Sequence, residues 1–182
     1  SLIMRKSFVL VLLVLASLLL VGCQKDEDVI VVGLEADYAP FNWSTSVSTE
    51  FTHPISGRVD FADGYDVQMA KLIAEGLGKK LVIKAIGWDG LIPAADSGSI
   101  DLIIAGMTPT PDRATSILFT EEYFRSEPVI ILRKDSKFFN EEAVNNKTIS
   151  VNDFKEARAT AQLGTIYEGL VDQLPGAVAQ TS

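Results

Sequence analysis

The residues best suited to bind a small anion lie in AGMTPTPDR, residues 105–113, directly after the apolar run DLII. The guanidinium of Arg113 can hold a carboxylate through two parallel hydrogen bonds, and the hydroxyl of Thr108 can donate a third. Gly106 has no side chain, so a ligand can approach its backbone closely. These residues together predict a site for a small carboxylate, whereas Arg113 alone would be more typical of a surface ion pair.

The second half of the same stretch predicts the start of a helix. Thr110 can cap the helix with its hydroxyl, Pro111 suits the first helical position, and Asp112 complements the dipole in the first turn. Such a helix would direct free N–H groups at the carboxylate site. We assign Thr110, Pro111 and Asp112 no ligand role of their own.

The segments around this stretch alternate between strand and helix. Continuous apolar runs predict buried parallel strands at 29–33, 80–86 and 101–106. Apolar residues at helical spacing predict helices over 65–80 and 89–99. This order predicts an α/β fold with a parallel sheet and right-handed crossovers.

The sequence also predicts features of the two helices and of the segment before the first helix. The first helix presents one apolar face, formed by Val67, Ala70, Ile73, Ala74 and Leu77. Gly78 is its predicted C-cap, and Asp66 is interpreted as a helix-start residue. In the second helix, Pro93 is tolerable only near the first turn. Residues 34–43 are interpreted as a loop. Residues 44–64 are polar, show no helical or strand periodicity and are interpreted as a surface segment with a solvated His53.

Ligands of open α/β sheets bind outside the carboxyl ends of the strands. The first strand is followed there by Glu35 and Tyr38, the second by Trp88 and Asp89, and the third by residues 106–113. Tyr38 and Trp88 could form an aromatic wall against a ligand, although either ring alone is more typical of core packing. Glu35 is interpreted as a loop cap, a rim residue or a partner for a ligand ammonium. The convergence of these positions, more than any one of them, predicts the binding site.

A second, shorter set of elements follows. EPVIILRKD predicts a strand near residues 129–133, and a polar linker leads from it to a short helix in VNDFKEA and a strand in RATAQL. The last predicted helix turns Leu170, Val171 and Leu174 inward before Pro175 stops it. Residues 147–182 are too few to bury a core alone. They either pack onto the first domain or belong to a truncated two-domain protein, and we favour truncation.

The first 23 residues predict a lipoprotein signal peptide. Arg5 and Lys6 precede the uncharged stretch 8–21, which is shorter than the roughly 20 residues of a membrane span. Small residues before Cys23 resemble a lipobox, which predicts cleavage before that cysteine and its lipidation. The alternative is a buried N-terminal helix with an incidental cysteine.

Composition excludes several classes of function. Cys23 is the only cysteine, so the chain has neither an intrachain disulfide nor a cysteine-based metal site. Without Arg5 and Lys6, 14 of the 16 basic residues remain against 24 acidic ones, a net charge of −10. A body this acidic argues against a nucleic-acid partner, which requires clustered Lys and Arg.

Several stretches closely resemble the family 3 extracellular solute-binding proteins, the receptors of polar amino-acid ABC importers. They are VGLEADYAPFNW, GYDVQMAKLIAEGLGKKL, WDGLIPAADSGSIDLIIAGMTPTPDRATSILFTEEYF and AQLGT. The resemblance implies the α/β, type II periplasmic-binding-protein-like fold, with a nearly complete first lobe over 24–128. It further implies a hinge strand and linker over 129–146 and the start of a truncated second lobe over 147–182, whose ammonium-binding acid lies beyond the matched pattern.

The predicted ligand-binding set is Tyr38, Trp88, Gly106, Thr108, Arg113, Thr165 and Glu35. The resemblance implies that the two aromatic rings stack on the ligand side chain and that the Gly106 backbone accepts from its α-ammonium. It implies that Thr108 and Arg113 hold the α-carboxylate, with Thr165 and its amide completing this clamp from the second lobe. The family pattern differs at Ala105 and Ile166, where some members carry serine and threonine.

The resemblance implies a lipid-anchored, extracytoplasmic receptor that binds a polar amino acid between two lobes and delivers it to an ABC permease and its ATPase. The receptor would be a monomer without cofactor, metal or covalent chemistry. The alternative is an enzyme like cyclohexadienyl dehydratase on the same scaffold, for which Glu35 is the one candidate acid in the first lobe. A sensor ectodomain is a third reading, which a cleaved lipobox disfavours. Glutamine, histidine, arginine, lysine and cystine all remain possible ligands.

Overall fold

The computed structural model describes residues 28–181. The strands are β1 (Val29–Leu34), β2 (Asp37–Tyr38), β3 (Asn42–Thr45), β4 (His53–Pro54), β5 (Phe61–Asp63), β6 (Lys80–Ala85), β7 (Leu102–Ile103), β8 (Arg158–Ala161) and β9 (Val178–Thr181). The helices are α1 (Tyr65–Gly76), α2 (Trp88–Asp96), α3 (Glu141–Asn145) and α4 (Ile166–Val171). The predicted signal peptide and Cys23 lie outside the described residues.

A three-stranded parallel sheet forms the centre of the first lobe, as the apolar runs predicted. β1 lies in the middle, with β6 on one side and β7 on the other. Although β7 has two residues, the pairing extends beyond it, because Asp101 and Ile104 donate their amides to carbonyl oxygens of β1. Leu34, Ile83 and Leu91 are fully buried in the core between this sheet and the helices.

The two helices of the first lobe differ from prediction at one position each. Val67, Ala70 and Ala74 of α1 are buried as expected, but Leu77 is 56% exposed, because the helix ends at Gly76 and the chain turns away there. Gly78 adopts the positive φ of 65° that suits the predicted C-cap. Pro93 is the sixth residue of α2, beyond the first turn, and deprives only the Asp89 carbonyl of its helical donor.

The segment predicted as surface loop contains a small antiparallel sheet, in the order β2-β3-β5-β4. Its strands have two to four residues, which is too short for an alternating pattern to be visible in the sequence. The predicted solvation of His53 is wrong, since the half-buried ring donates through Nε2 to the Leu81 carbonyl oxygen at 3.0 Å. This sheet therefore packs against β6.

Two predicted elements between β7 and α3 are shorter than expected or absent. The helix after Thr110 is a single 3₁₀ turn, Arg113–Thr115, although the Thr110 hydroxyl accepts from the Arg113 amide at 3.2 Å as a cap should. Leu118 is fully exposed, so no apolar face stabilises a longer helix there. Residues 129–133 form no strand, because no strand in the described part of the chain pairs with them, and Ile131 is 90% exposed.

The second lobe is represented by a parallel pair, β8 and β9, with α4 between them. Its small core contains Phe154, Ala157 and Leu174. Val171 is buried as predicted, whereas the helix in VNDFKEA is a 3₁₀ turn, Val151–Phe154. The polar linker contains α3, whose first turn is capped by the Asn140 side chain. The boundaries given to the lobes and the hinge stay predictions.

Candidate functional site

One cavity between the two lobes is lined by the whole predicted set. Its lining includes Glu35, Tyr38, Trp88, Gly106, Thr108, Arg113 and Thr165, together with Ala105, Gln162, Ile166 and Tyr167. The segment from the end of β1 to β2, the start of α2, the turn after β7, and the loop from β8 into α4 supply these residues. The structure thus brings the seven together, and their role in ligand binding stays a prediction.

Arg113 is held at the cavity by three contacts. Its Nη1 donates to the Thr108 carbonyl oxygen at 2.7 Å, and its Nη2 donates to the Gly164 carbonyl oxygen at 3.0 Å. The guanidinium carbon lies 5.3 Å from the centre of the Trp88 ring, a cation–π distance. Partial burial lowers the pKa of Arg113, but an arginine stays charged in proteins. The cavity therefore contains a fixed cation.

Gly106 and the ring of Tyr38 lie against each other in the cavity lining. Gly106 has a φ of 61°, and a Cβ at this position would lie 3.2 Å from Cε1 of Tyr38. The Tyr38 ring stacks on Phe41 with 5.1 Å between ring centres. Burial, followed by the neighbouring Tyr167, raises the pKa of the Tyr38 hydroxyl. Glycine is the residue that lets this ring approach the backbone turn after β7.

The second lobe reaches the first through side chains at the cavity. Trp88 donates its indole N–H to the Gly164 carbonyl oxygen at 3.0 Å, and Gln162 Nε2 donates to Glu35 Oε1 at 2.9 Å. The hydroxyl of Thr165 donates to the Gln162 carbonyl oxygen at 2.7 Å, so its proton is used within its own loop. The cavity volume is about 40 Å³, room for roughly three water molecules.

An open groove of about 370 Å³ adjoins the cavity and shares Trp88 and Gln162 with it. Asp89 also lines this groove, and its Oδ1 lies 2.8 Å from the position that a Cβ on Gly164 would occupy. The groove and the cavity are parts of one cleft between the lobes.

The sequence interpretation missed a buried polar group beneath this cleft. Asp66, expected to be an ordinary helix-start residue, is fully buried. Its carboxylate accepts from Asn42 Nδ2 at 2.7 Å and from the Tyr123 hydroxyl at 2.8 Å. Burial raises the pKa of both Asp66 and Tyr123. An aspartate in a first helical turn is normally exposed, so the sequence carries no signal for this burial. Gln162 was missed because its hydrogen-bond partner at the cavity, Glu35, is 127 residues away in the chain.

Residues 28–181 include no group of three His, Cys, Asp or Glu side chains placed to hold a metal ion. Over the same residues, no helix combines the length and apolar character that crossing a membrane requires.

Comparison with known proteins identifies relatives of most of the described region. The family model for bacterial extracellular solute-binding proteins, family 3, matches residues 30–171. The chain is 29% identical over 147 residues to the arginine-binding extracellular protein ArtP of Bacillus subtilis (strain 168), covering 81% of this chain and 49% of that protein. The chain thus spans about half the length of that curated relative.

Solved structures of similar proteins share the fold. A substrate-binding protein of an amino acid ABC transporter is 34% identical with a TM-score of 0.66, covering 85% of this chain and 60% of that one. An ancestral amino-acid-binding protein, described as a precursor of cyclohexadienyl dehydratase, is 31% identical with a TM-score of 0.67, covering 85% of this chain and 61% of that one.

Proposed function

The chain belongs to the bacterial extracellular solute-binding proteins, family 3, and on that premise we propose that it is the receptor of an ABC importer for a polar amino acid, with a preference for a cationic side chain. The observation that carries this proposal is the inter-lobe cavity, in which a guanidinium, an accessible backbone turn, three aromatic rings and one carboxylate face the same space. These groups fit the α-carboxylate, the α-ammonium and the charged side chain of a cationic amino acid.

The α-carboxylate is proposed to bind Arg113. The guanidinium already donates to a carbonyl oxygen of the second lobe, that of Gly164, and a carboxylate is a better acceptor because it is charged and has two oxygens. Thr108 lines the cavity beside it and can add its hydroxyl. On binding, the ligand would exchange the Gly164 contact for its own.

The α-ammonium and the side chain are proposed to bind the other residues of the cavity lining. The backbone of Gly106 is exposed to the cavity and can accept from the ammonium. Tyr38 and Trp88 offer ring faces to a flat or cationic side chain. Glu35 is the one acidic residue among those that line the cavity. The name of the arginine-binding relative supports testing arginine first.

The membrane partners follow from the same proposal. A permease and its ATPase would take the ligand from the closed receptor. A lipid on Cys23 would keep the receptor, as a monomer, at the extracytoplasmic face of the membrane.

Labelling cells with a radioactive fatty acid tests the anchor. Label on the natural protein that is lost in Cys23→Ser supports it, and equal labelling of both contradicts it.

The ligand is tested by calorimetry on the protein as the cell makes it. Arginine, lysine, histidine and glutamine are compared with agmatine, which lacks the carboxylate, and with Nα-acetylarginine, whose ammonium is blocked. We expect one-to-one binding of arginine or lysine and loss of binding for both modified compounds. Equal binding of agmatine and arginine would contradict the carboxylate site.

An enzyme on the same scaffold is the second candidate. It is favoured by the likeness to the dehydratase precursor and by the position of Glu35, whose carboxyl group reaches the cavity. A dehydratase needs such a positioned acid. Turnover of prephenate by the purified protein would favour this candidate, and stoichiometric binding without turnover would exclude it for that substrate.

A further inference from the structure

We infer that Asp66 is a positioning residue for the ligand cavity, whose two carboxylate oxygens hold the strand-end turns that carry Glu35 and Gly106. The hydrogen bonds are independent of any ligand. The consequence for affinity rests on the proposed function.

The first connection runs from Asp66 to the turn after β1. Asp66 Oδ2 accepts from Asn42 Nδ2 at 2.7 Å, and Asn42 Oδ1 accepts from the amide of Ala36 at 2.8 Å. Ala36 follows Glu35 directly and has a φ of 61°, which is uncommon for a residue other than glycine. A conformation of this kind persists only where the surrounding structure fixes it. The Asn42 side chain supplies that restraint.

The second connection runs from the same carboxylate to the turn after β7. Asp66 Oδ1 accepts from the Tyr123 hydroxyl at 2.8 Å, and the hydroxyl oxygen accepts from the Gly106 amide at 3.3 Å. Tyr123 is itself held by Tyr65, whose ring stacks on it with 6.0 Å between centres and whose hydroxyl donates to its carbonyl oxygen. The Gly106 turn is thereby joined to the buried start of α1.

A carboxylate is the side chain that this position requires. The Asn42 amide and the Tyr123 hydroxyl both donate toward residue 66, so the group between them must accept twice. An asparagine there would turn its own NH₂ group against one of the two donors. Burying a carboxylate is costly, and packing alone would be served better by an apolar residue. The two turns are what this carboxylate supports.

The two connections can be cut one at a time, and amide exchange measured by NMR reports each. Tyr123→Phe removes the acceptor of the Gly106 amide and keeps the ring, whereas Asn42→Ala removes the acceptor of the Ala36 amide. We expect exchange to accelerate on the order of tenfold, the weight of one hydrogen bond, at Gly106 in the first variant and at Ala36 in the second. Asp66→Asn should accelerate exchange at both.

Val67→Ala is the matched control, because Val67 is the next residue of α1, is fully buried and takes no part in these bonds. It should accelerate amide exchange throughout the helix and the sheet, and not selectively at Ala36 and Gly106. Selective exchange at these two amides supports the inference. Unchanged exchange at Gly106 in Tyr123→Phe, or the same pattern in Asp66→Asn and Val67→Ala, would overturn it.

Calorimetry with arginine on the same variants separates this inference from the proposed function. If the natural protein binds none of the amino acids in the panel, the proposed function fails, while the exchange data still decide whether Asp66 holds the turns. If the natural protein binds, we expect a weaker affinity in Tyr123→Phe and Asp66→Asn than in Val67→Ala. Loosened turns with unchanged affinity would overturn the positioning role and leave the receptor function standing.

Discussion

Arg113 and Gly164, 51 residues apart in the chain, are joined by a 3.0 Å hydrogen bond from the guanidinium Nη2 to the carbonyl oxygen. The indole N–H of Trp88 donates to the same oxygen at 3.0 Å. One backbone carbonyl of the second lobe therefore receives two donors that line the proposed ligand cavity. A ligand carboxylate would have to compete with this contact between the lobes.

The backbone at Gly164 permits that contact and is open to a direct test. Gly164 has a φ of 73°, and a Cβ there would lie 2.8 Å from Oδ1 of Asp89. Gly164→Ala is expected to destabilise the protein by about 1 kcal/mol or more in urea unfolding, through strain and this clash.

Gly169→Ala is the control, because Gly169 lies within α4, has no positive φ, and leaves open space for a Cβ. It is expected to stabilise the protein by about 0.4–1 kcal/mol. Equal effects of the two substitutions would contradict the assigned strain.

His53 predicts a specific dependence of stability on pH. Burial, and secondarily the charge of Lys71, lower the pKa of His53, although its bond to the Leu81 carbonyl opposes them. The unfolded chain therefore binds the proton more tightly than the folded one. The contribution of His53 to stability is fully present above the unfolded pKa of about 6.5 and is lost as the pH drops below it.

The melting temperature at about pH 7.5 and pH 5.5 checks this prediction. His53 is the only histidine in the chain, so His53→Gln removes the one imidazole that titrates in this interval. The melting temperature of the natural protein should fall on acidification, and that of the variant should fall less. The same slope in both proteins would show that His53 is not the responsible group.

The carboxylate of Glu35 predicts a preference for arginine over glutamine. Glu35→Gln removes the charge and keeps an oxygen that can accept from Gln162, so the contact between the lobes can survive. Affinity for arginine should fall on the order of tenfold or more, the weight of one charged hydrogen bond, while affinity for glutamine changes little. Asp37→Asn is the control, since it removes an exposed acid two residues away. A loss for arginine in both variants would assign the effect to general charge.

Much of this fold and of its site was predictable from the sequence, because local patterns determine those parts. The apolar runs that form β1 and β6 are continuous, and α1 shows its buried face in its spacing. The carboxyl ends of parallel strands meet at one edge, so the sequence alone could place Glu35 and Gly106 together.

The remaining features depend on partners that are distant in the chain. Asp66 is buried because Asn42 and Tyr123 surround it, and no local pattern identifies those donors. The strand expected over 129–133 requires a neighbouring strand, which residues 28–181 do not supply. The turn at Arg113 stays short because no apolar surface covers Leu118.

The central claim is that Arg113 binds the α-carboxylate of an amino acid. Its most direct test is calorimetric titration of the natural protein, Arg113→Ala and Arg125→Ala with the amino acid that binds best. Arg125 is a matched control because its side chain is 83% exposed and pairs only with Glu122 among the ion pairs found in the described residues. We predict that Arg113→Ala loses binding by about 100-fold or more, the weight of two charged hydrogen bonds, in a protein that stays folded, while Arg125→Ala binds normally. Unchanged affinity in a folded Arg113→Ala protein would contradict the account.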